Sequence, residues 1–431
     1  MTLQIAYTGR CLLSFPAIAI DKDPKTMEPA KLNRVGVYLA LLQLFFTLTW
    51  TVYVIFLPAL AAQVGIRPQA VILILMLDQA IFAVMDYLMG QMADRVSKIV
   101  GRLSKIVAKT TAVSCIAFLL LPFVAPTGNE ALFIAITILW SASSSVLRAP
   151  PLALLGKYAA RGAVPWLASL SMFGLGMAGA VSPYLTVALR EIDPRVPFAL
   201  ASIALLIVTL GLGWAERNLA NAPAQATPEP VVTVPTNGSL GVFLVAVALL
   251  GFGFQIHFSL NAAPTFLKFA KPPDLDHLMP IFWIGFNVLM LPGTMLTSRY
   301  GGLKVMAAGG VIGAIAAFFV AQATSVAALG AAQFVAGGAW GIVMMSTVTS
   351  ALAIGQNVRD GGREGSITGV LFSLLAITAL ARMMIVWTEL NKAPSFASIQ
   401  LWLPVAAWLL ASGALLLIVR KKPAKGMSAA M

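Results

Sequence analysis

Charged residues are scarce in this 431-residue chain. Asp, Glu, Lys and Arg together make up 10% of it, whereas an ordinary soluble domain carries about 25%. Hydrophobic residues account for 59%, and the mean hydropathy is +0.89. A soluble protein of this length needs a polar coat that these residues cannot supply. Lipid is therefore the solvent expected around most of the chain.

Histidine and cysteine are equally rare, with two of each. Cys11 and Cys115 lie far apart in the sequence, so they indicate neither a disulfide framework nor a metal cluster. The sequence also lacks the H-E-x-x-H, G-x-S-x-G and phosphate-loop patterns. The alternative of a polytopic membrane enzyme therefore has little support. We predict no enzymatic activity, no metal and no cofactor.

Apolar runs of about 20 residues recur along the chain, and a helix of that length crosses the hydrocarbon layer. These runs do not alternate in polarity as barrel strands do, so helices are expected. We predict an all-α polytopic membrane protein with twelve transmembrane helices in two pseudo-symmetric six-helix bundles. The predicted spans are 36–61, 69–89, 106–124, 130–156, 164–187, 196–215, 240–262, 278–297, 303–323, 326–351, 366–388 and 398–419.

The longest break between spans divides them six and six. Its sequence is rich in Pro, Ala, Asn and Thr, which is typical of a linker. The first 26 residues fit no span, and we expect either a disordered tail or an over-extended start. The predicted divisions are a tail at 1–35, a bundle at 36–215, a linker at 216–239, a bundle at 240–419 and a tail at 420–431.

The positive net charge of +13 is distributed unevenly. With both termini placed on one side, 21 of the 29 Lys and Arg residues lie in or beside segments on that side. The opposite loops carry six, and two lie within spans. This bias is the positive-inside pattern, so we predict cytoplasmic termini, an inner-membrane location and contact with membrane lipid rather than nucleic acid.

A distinctive charged segment, GQMADRVSKIVGR, follows the second predicted span. It resembles the loop signature of the major facilitator superfamily, roughly G-x-L-A-D-R-x-G-R-R. The matching residues are Gly90, Ala93, Asp94, Arg95 and Lys98. With twelve spans and a central linker, the chain resembles bacterial-type members of this family over about residues 36–420.

The signature is imperfect. Met92, Ser97 and Ile99 replace its Leu, Gly and one of its bases. A decayed second copy follows the eighth span, where Ser298 and Arg299 stand for Asp and Arg. The repeat indicates duplication of a six-helix unit, a common origin of transporters.

The resemblance implies a secondary transporter that works by alternating access, with a gate on the cytoplasmic side. Gly90 would allow close helix contact, and Asp94 would face the positive end of the eleventh helix. Arg95 and Lys98 would hold the loop at the anionic inner surface. Arg299 is the corresponding gate residue of the second copy.

Ionisable residues within spans are costly and usually functional. Asp78 lies near the middle of span 2, where burial favours a neutral carboxyl that can take up and release a proton. Asp86, two turns further along, and His257 are further proton-coupling candidates, although structural pairing is the preferred interpretation of Asp86. Arg148 can pair with Asp78 or Asp86 or bind substrate, and Arg382 is open to the same alternatives.

Polar and aromatic residues recur at helical spacing in spans 1, 7 and 10, which with span 4 line the central cavity in the family architecture. These residues are candidates for substrate binding, and the alternative is hydrogen bonding between helices. Including the two span arginines, the candidates are Gln43, Thr47, Trp50, Arg148, Gln255, His257, Asn261, Gln333, Trp340 and Arg382.

The buried Arg and His residues favour an anionic or carboxylated solute, carried by a proton-coupled monomer. One alternative is a multidrug or toxic-compound efflux proton antiporter. Its Gly-rich signature in span 5 is degraded here, with Ser182-Pro183 in place of Gly-Pro. A second alternative is a sensor or assembly factor that keeps the fold and no longer transports.

Overall fold

A computed structural model describes residues 29–221, 237–357 and 362–420. In these ranges the chain forms helices and the turns between them, with no β-strand. Eleven helical segments are long and apolar enough to cross a membrane, and a bent pair near the C-terminal end supplies a twelfth. The prediction of an all-α polytopic membrane protein is confirmed.

The first half of the described chain contains six spanning segments. The fourth segment consists of two helices, α4 and α5, joined by a 3-10 turn at Ser145–Leu147, and the sixth consists of α7 and α8. The helices are α1 (Pro29–Gln63), α2 (Val71–Val96), α3 (Arg102–Val124), α4 (Glu130–Ser144), α5 (Ala149–Tyr158), α6 (Val164–Ala188), α7 (Arg195–Leu210) and α8 (Leu212–Ala220).

The second half repeats this plan with a π-helix, Gln255–Ala262, inside its first segment. The last segment is the bent pair, α16 and α17, which meet at 56°. The helices are α9 (Asn237–Phe254), α10 (Ala263–Phe266), α11 (Leu275–Leu278), α12 (Pro280–Tyr300), α13 (Gly302–Ala321), α14 (Val326–Gln356), α15 (Glu364–Trp387), α16 (Pro394–Gln400) and α17 (Leu403–Arg420).

The predicted boundaries differ from the observed ones mainly at the ends of the halves. Helix α1 begins at Pro29, although a tail was predicted to residue 35. Helix α8 continues to Ala220 and α9 begins at Asn237, so both helices extend into the range 216–239 that was predicted as a linker. The hypothesis about residues 1–26 lies outside the described residues.

The distribution of side chains explains why these segments are stable as helices in lipid. Leu210 and Leu410 are among the most exposed of the large hydrophobic side chains, at 66% and 65%, as expected where the surrounding solvent is apolar. Buried hydroxyls bond within their own helices, as Thr137 does to the Phe133 carbonyl at 2.9 Å. This back-bonding satisfies polar groups that hydrocarbon cannot.

Two helix pairs join the halves. Helix α2 packs along α15, and α6 packs along α12. The first pair is especially close, because a Cβ at Gly90 would collide with the backbone of Gly365 and contact Gly369. Helix α5 also contacts α14 and α15. These contacts bring the end of α2 that carries the charged loop against the start of α15.

Candidate transport site

Asp78 lies in a closed polar site within the first half. Its carboxyl group is fully buried and contacts hydroxyls from two other helices. The Tyr53 hydroxyl of α1 donates to Oδ2 at 2.9 Å, and the Ser141 hydroxyl of α4 donates to Oδ1 at 2.5 Å. Asp78 therefore has a partner for each oxygen and no direct contact with lipid.

Aromatic rings surround this carboxyl group. Trp140 lies against Tyr53 with 4.4 Å between ring centroids, and Trp50 stacks on Trp140 at 5.8 Å. Phe82, one turn after Asp78 on α2, contacts Trp50 at 5.5 Å. The rings pack around Tyr53, whose hydroxyl contacts Asp78. Sequence reasoning identified Asp78 and Trp50 but missed Tyr53, Trp140 and Ser141, which only the packing of three helices brings together.

Asp86 and Arg148 form an ion pair where the halves meet. Nη1 of Arg148 lies 3.1 Å from Oδ2 of Asp86, whose side chain is 0% exposed against 18% for Arg148. The Arg148 guanidinium lies 4.9 Å from the Phe82 ring centroid and 5.4 Å from that of Phe372 on α15. Of the two carboxylates considered for Arg148, the structure selects Asp86.

We predict that breaking this pair destabilises the protein. Arg148→Gln leaves Asp86 buried without its counter-charge, and such changes cost about 3–5 kcal/mol. The double variant Asp86→Asn/Arg148→Gln removes both charges, so its loss should be smaller than that of Arg148→Gln alone. Thermal unfolding of the purified variants in detergent measures the cycle. The two single variants are Arg148→Gln and Asp86→Asn. If the double variant loses as much stability as the two single variants together, the groups do not interact.

The π-helix concentrates the polar residues of the second half. His257 Nε2 lies 3.1 Å from Oε1 of Gln333 on α14. Asn261 donates to the Gln400 carbonyl at 3.1 Å and accepts from the Gln400 amide at 2.7 Å. His257, Asn261 and Gln333 thus join helices, which is the alternative raised for such stripes. A π-helix often marks a functional site, and periodicity in the sequence did not indicate it.

Other predicted binding residues are distributed over both halves. Gln43 and Thr47 are half-buried on α1 and bond to each other, with Thr47 donating to the Gln43 carbonyl at 2.8 Å. Trp340 is stacked between Phe254 at 4.5 Å and Trp408 at 6.5 Å. The predicted residues therefore do not form one cluster. Arg148 lies with Asp86 and Arg382 lies in α15, and the others divide into a set in α1 and a set around the π-helix.

Asp94 connects the two halves at the end of the bundle that carries the charged loop. Its Oδ1 accepts from the Gly365 N–H at 2.7 Å. Its Oδ2 accepts from the Ser366 N–H at 2.8 Å and the Ser366 hydroxyl at 2.5 Å. These donors belong to the first turn of α15, whose dipole also favours a negative charge. The structure thus places Asp94 where the family resemblance implied.

Additional polar contacts strengthen the same end. The Gln356 amide of α14 donates to the Gly156 carbonyl of α5, which links the halves a second time. Within the first half, Lys157 donates to the Ser97 hydroxyl at 3.0 Å, and the buried Glu216 accepts from the Ser104 N–H at 3.2 Å. These residues could not be identified from the sequence, because their partners are distant in the chain.

The basic residues of the loop and its second copy are placed differently from Asp94. Arg95, Lys98 and Arg299 are all exposed. The Arg299 guanidinium lies 5.3 Å from the ring of its neighbour Tyr300. Position and charge fit residues that contact lipid head groups rather than the opposite half. The second copy therefore does not reproduce the Asp94 contact.

The paired halves and the charged-loop contact define a class of protein, the polytopic α-helical transporters. The chain belongs to the Major Facilitator Superfamily, since the model of that family matches residues 39–383. It is therefore a member of a transporter family and not an enzyme. A search of curated protein sequences found no match.

Solved structures with similar folds are transporters. The human organic anion transporter MFSD10 (TETRAN) superposes with a TM-score of 0.65 at 14% identity, covering 91% of this chain and 99% of that one. A bacterial homologue of the iron transporter ferroportin, in the outward-facing state with soaked iron, gives a TM-score of 0.68 at 13% identity. The match covers 90% of this chain and 99% of that one. Another structure of a bacterial ferroportin homologue, in the outward-facing state, gives a TM-score of 0.65 at 15% identity, covering 90% of this chain and 99% of that one. At these identities the likeness establishes the fold alone.

Proposed function

We propose that the protein is a proton-coupled secondary transporter that moves a small organic solute by alternating access. The observation that carries this proposal is Asp78, a fully buried carboxyl group held by two hydroxyls from other helices. Ionisable groups at this depth in a membrane mark ion pathways. The neutral form is favoured by burial and the charged form by the two donors, which suits reversible proton binding.

The partners of Asp78 can serve both protonation states. A hydroxyl both donates and accepts hydrogen bonds. Tyr53 and Ser141 therefore donate to the carboxylate, and one of them can turn to accept from the neutral acid. Because this site is enclosed by rings, it does not present Asp78 directly to a large solute. That enclosure favours a role for Asp78 in binding a proton. An efflux antiporter would instead require Asp78 to contact an organic cation.

The contacts of Asp94 and Gln356 support a gate in which Gly90 and Asp94 contact the opposite half, while the exposed Arg95 and Lys98 hold the loop at the lipid surface. Both contacts cross between halves at the end that carries the charged loop. If that end is cytoplasmic, as the charge bias predicts, the structure is closed to the cytoplasm. Opening requires α15 to leave Asp94, so the two halves would rock about the solute site.

The proposed solute site lies between the α1 set and the π-helix set. Gln43, Thr47 and Gln255 are half-buried, so their polar groups are accessible when the halves separate. An organic anion is the preferred solute, since span residue Arg382 contributes a positive charge, whereas the charge of Arg148 is paired with Asp86. MFSD10 is described as an organic anion transporter, which is compatible with this preference. The proposed location is the inner membrane, with cytoplasmic termini and a monomeric carrier.

Uptake into liposomes containing the purified protein tests this function. The probes are radiolabelled succinate, gluconate, benzoate, glucose and tetraphenylphosphonium, each measured with and without a pH gradient and corrected for uptake into protein-free liposomes. We expect at least one organic anion to accumulate only when the gradient is present. Preferential transport of tetraphenylphosphonium would support the efflux alternative, and absence of uptake and exchange for every probe would support the non-transporting alternative.

A further inference from the structure

Arg382 lies within a membrane span. No carboxylate among the described residues forms an ion pair with it. It lies in α15, five residues before that helix ends. Its Nε is buried and has no hydrogen-bond partner among the described residues. Arg148, by contrast, has Asp86 at 3.1 Å. A charged group in hydrocarbon is costly without a partner, so Arg382 requires an anion or water from outside the chain.

The segment that packs against α15, formed by α9 and the π-helix after it, carries a polar side chain at the same membrane depth as Arg382. A Cβ at Gly251 of α9 would lie 3.1 Å from the Thr378 hydroxyl of α15. Gln255 lies four residues beyond Gly251, and Arg382 lies four residues beyond Thr378. Four residues return to the same helix face, and α15 packs against the π-helix that begins at Gln255. The register thus places Gln255 and Arg382 on facing helices, one turn above the Gly251 contact.

Donors are in excess around this position. The Gln255 Oε1 accepts from the Ser259 hydroxyl at 3.3 Å, which leaves the Gln255 amide group as a donor. Further along the π-helix, His257 contacts Gln333 of α14, whose Nε2 is buried and has no partner among the described residues. An arginine and amide donors suit a carboxylate, which accepts several hydrogen bonds and can bind Arg through both oxygens.

Aromatic rings lie beside these donors. Phe254 immediately precedes Gln255 and stacks on Phe258, with 5.9 Å between centroids. Trp283 of α12 lies 5.3 Å from Phe258. All three are only half-buried. Such rings bind an apolar or aromatic body through its buried area.

We infer that Arg382 binds the carboxylate of an organic monoanion, with Gln255 as a further donor and the ring cluster (Phe254, Phe258 and Trp283) against the apolar part of the solute. This inference rests on the proposed function and narrows its substrate class to monocarboxylates with an apolar body. It also assigns Arg148 to the ion pair with Asp86 and not to the solute. One unpaired positive charge matches one negative charge on the solute.

Three probes with the same ring test the assignment: benzoate, benzyl alcohol and benzylamine. Binding to the purified protein in detergent is measured by isothermal titration calorimetry. We expect wild-type protein to prefer benzoate. Arg382→Gln should weaken benzoate binding about 10- to 100-fold, which corresponds to loss of one charge-assisted hydrogen bond, and leave benzyl alcohol unchanged.

Two matched variants control for folding and for overall charge. Arg382→Lys keeps the positive charge and should retain more benzoate affinity than Arg382→Gln. Arg190→Gln removes a charge from an exposed position outside the spans, and it should bind benzoate as wild type does. Equal benzoate affinity in wild type and Arg382→Gln overturns the inference. So does a wild-type protein that fails to bind benzoate, or binds benzyl alcohol or benzylamine as tightly.

Failure of this inference can be distinguished from failure of the proposed function. If Arg382→Gln accumulates its solute with a pH gradient as wild type does, proton-coupled transport stands and the Arg382 site falls. If benzoate binding depends on Arg382 but no probe anion moves in response to a pH gradient, the anion site stands and proton coupling falls.

Discussion

Asp78→Asn should abolish accumulation of solute against its gradient and preserve exchange of solute across the membrane. With one proton carried per solute, a gradient of one pH unit supplies about 1.4 kcal/mol and sustains about a tenfold accumulation. Asparagine keeps the size and hydrogen-bonding capacity of the side chain but cannot bind the proton. The accumulation ratio in liposomes should therefore fall to about 1, while counterflow at equal pH continues.

The same assay needs a matched carboxyl control. Glu191→Gln removes a carboxylate from an exposed position and should keep the wild-type accumulation ratio. Tyr53→Phe removes one of the two hydroxyls around Asp78 and should shift the pH dependence of uptake without abolishing it. Full accumulation by Asp78→Asn would show that another group carries the proton.

Asp94→Ala should open the gate at the charged loop. The variant loses three hydrogen bonds to the first turn of α15 and the favourable charge at that helix end. Hydrogen bonds to charged groups contribute about 1.5–3 kcal/mol each. Even about 2.8 kcal/mol in total would change the ratio of closed to open protein about 100-fold.

A cysteine behind the gate reports this opening. Leu352 is fully buried and lies against Gly156 across the interface. In a background with Cys11 and Cys115 replaced by serine, Leu352→Cys should be protected from an impermeant maleimide applied from the loop side. Asp94→Ala should increase its labelling rate at least about tenfold, and Ser366→Ala, which loses only a hydroxyl, should have a smaller effect. An unchanged labelling rate in Asp94→Ala contradicts a gating role.

The fold was predictable because each spanning helix is specified locally. An apolar run such as Phe198–Trp214 is sufficient to identify a helix in lipid, whatever its neighbours are. The location of Asp94 followed from the family signature, in which order and spacing are informative. Boundaries were less exact where a helix extends into the polar zone, as at Pro29 and Ala220.

The candidate site was less predictable because it depends on contacts between distant segments. Tyr53 and Ser141 lie 25 and 63 residues from Asp78, and neither is unusual within its own helix. The choice of Asp86 over Asp78 as the partner of Arg148 required the packing of α2 against the start of α5. Arg148 is paired with a carboxylate and Arg382 is not. This difference cannot be seen in the sequence, because it depends on where the carboxylates lie in the folded protein.

The account's central claim is that the two halves rock so that one end opens as the other closes. Two pairs of spin labels measure this motion by double electron–electron resonance in liposomes at high and low pH, with and without transported solute. One pair, at Ile99 and Asn357, lies at the end held by Asp94, and the other, at Gln63 and Lys268, lies at the opposite end; all four residues are exposed. The account predicts that the two distances change in opposite directions. Distances that stay constant under every condition, or that lengthen and shorten together, would contradict it.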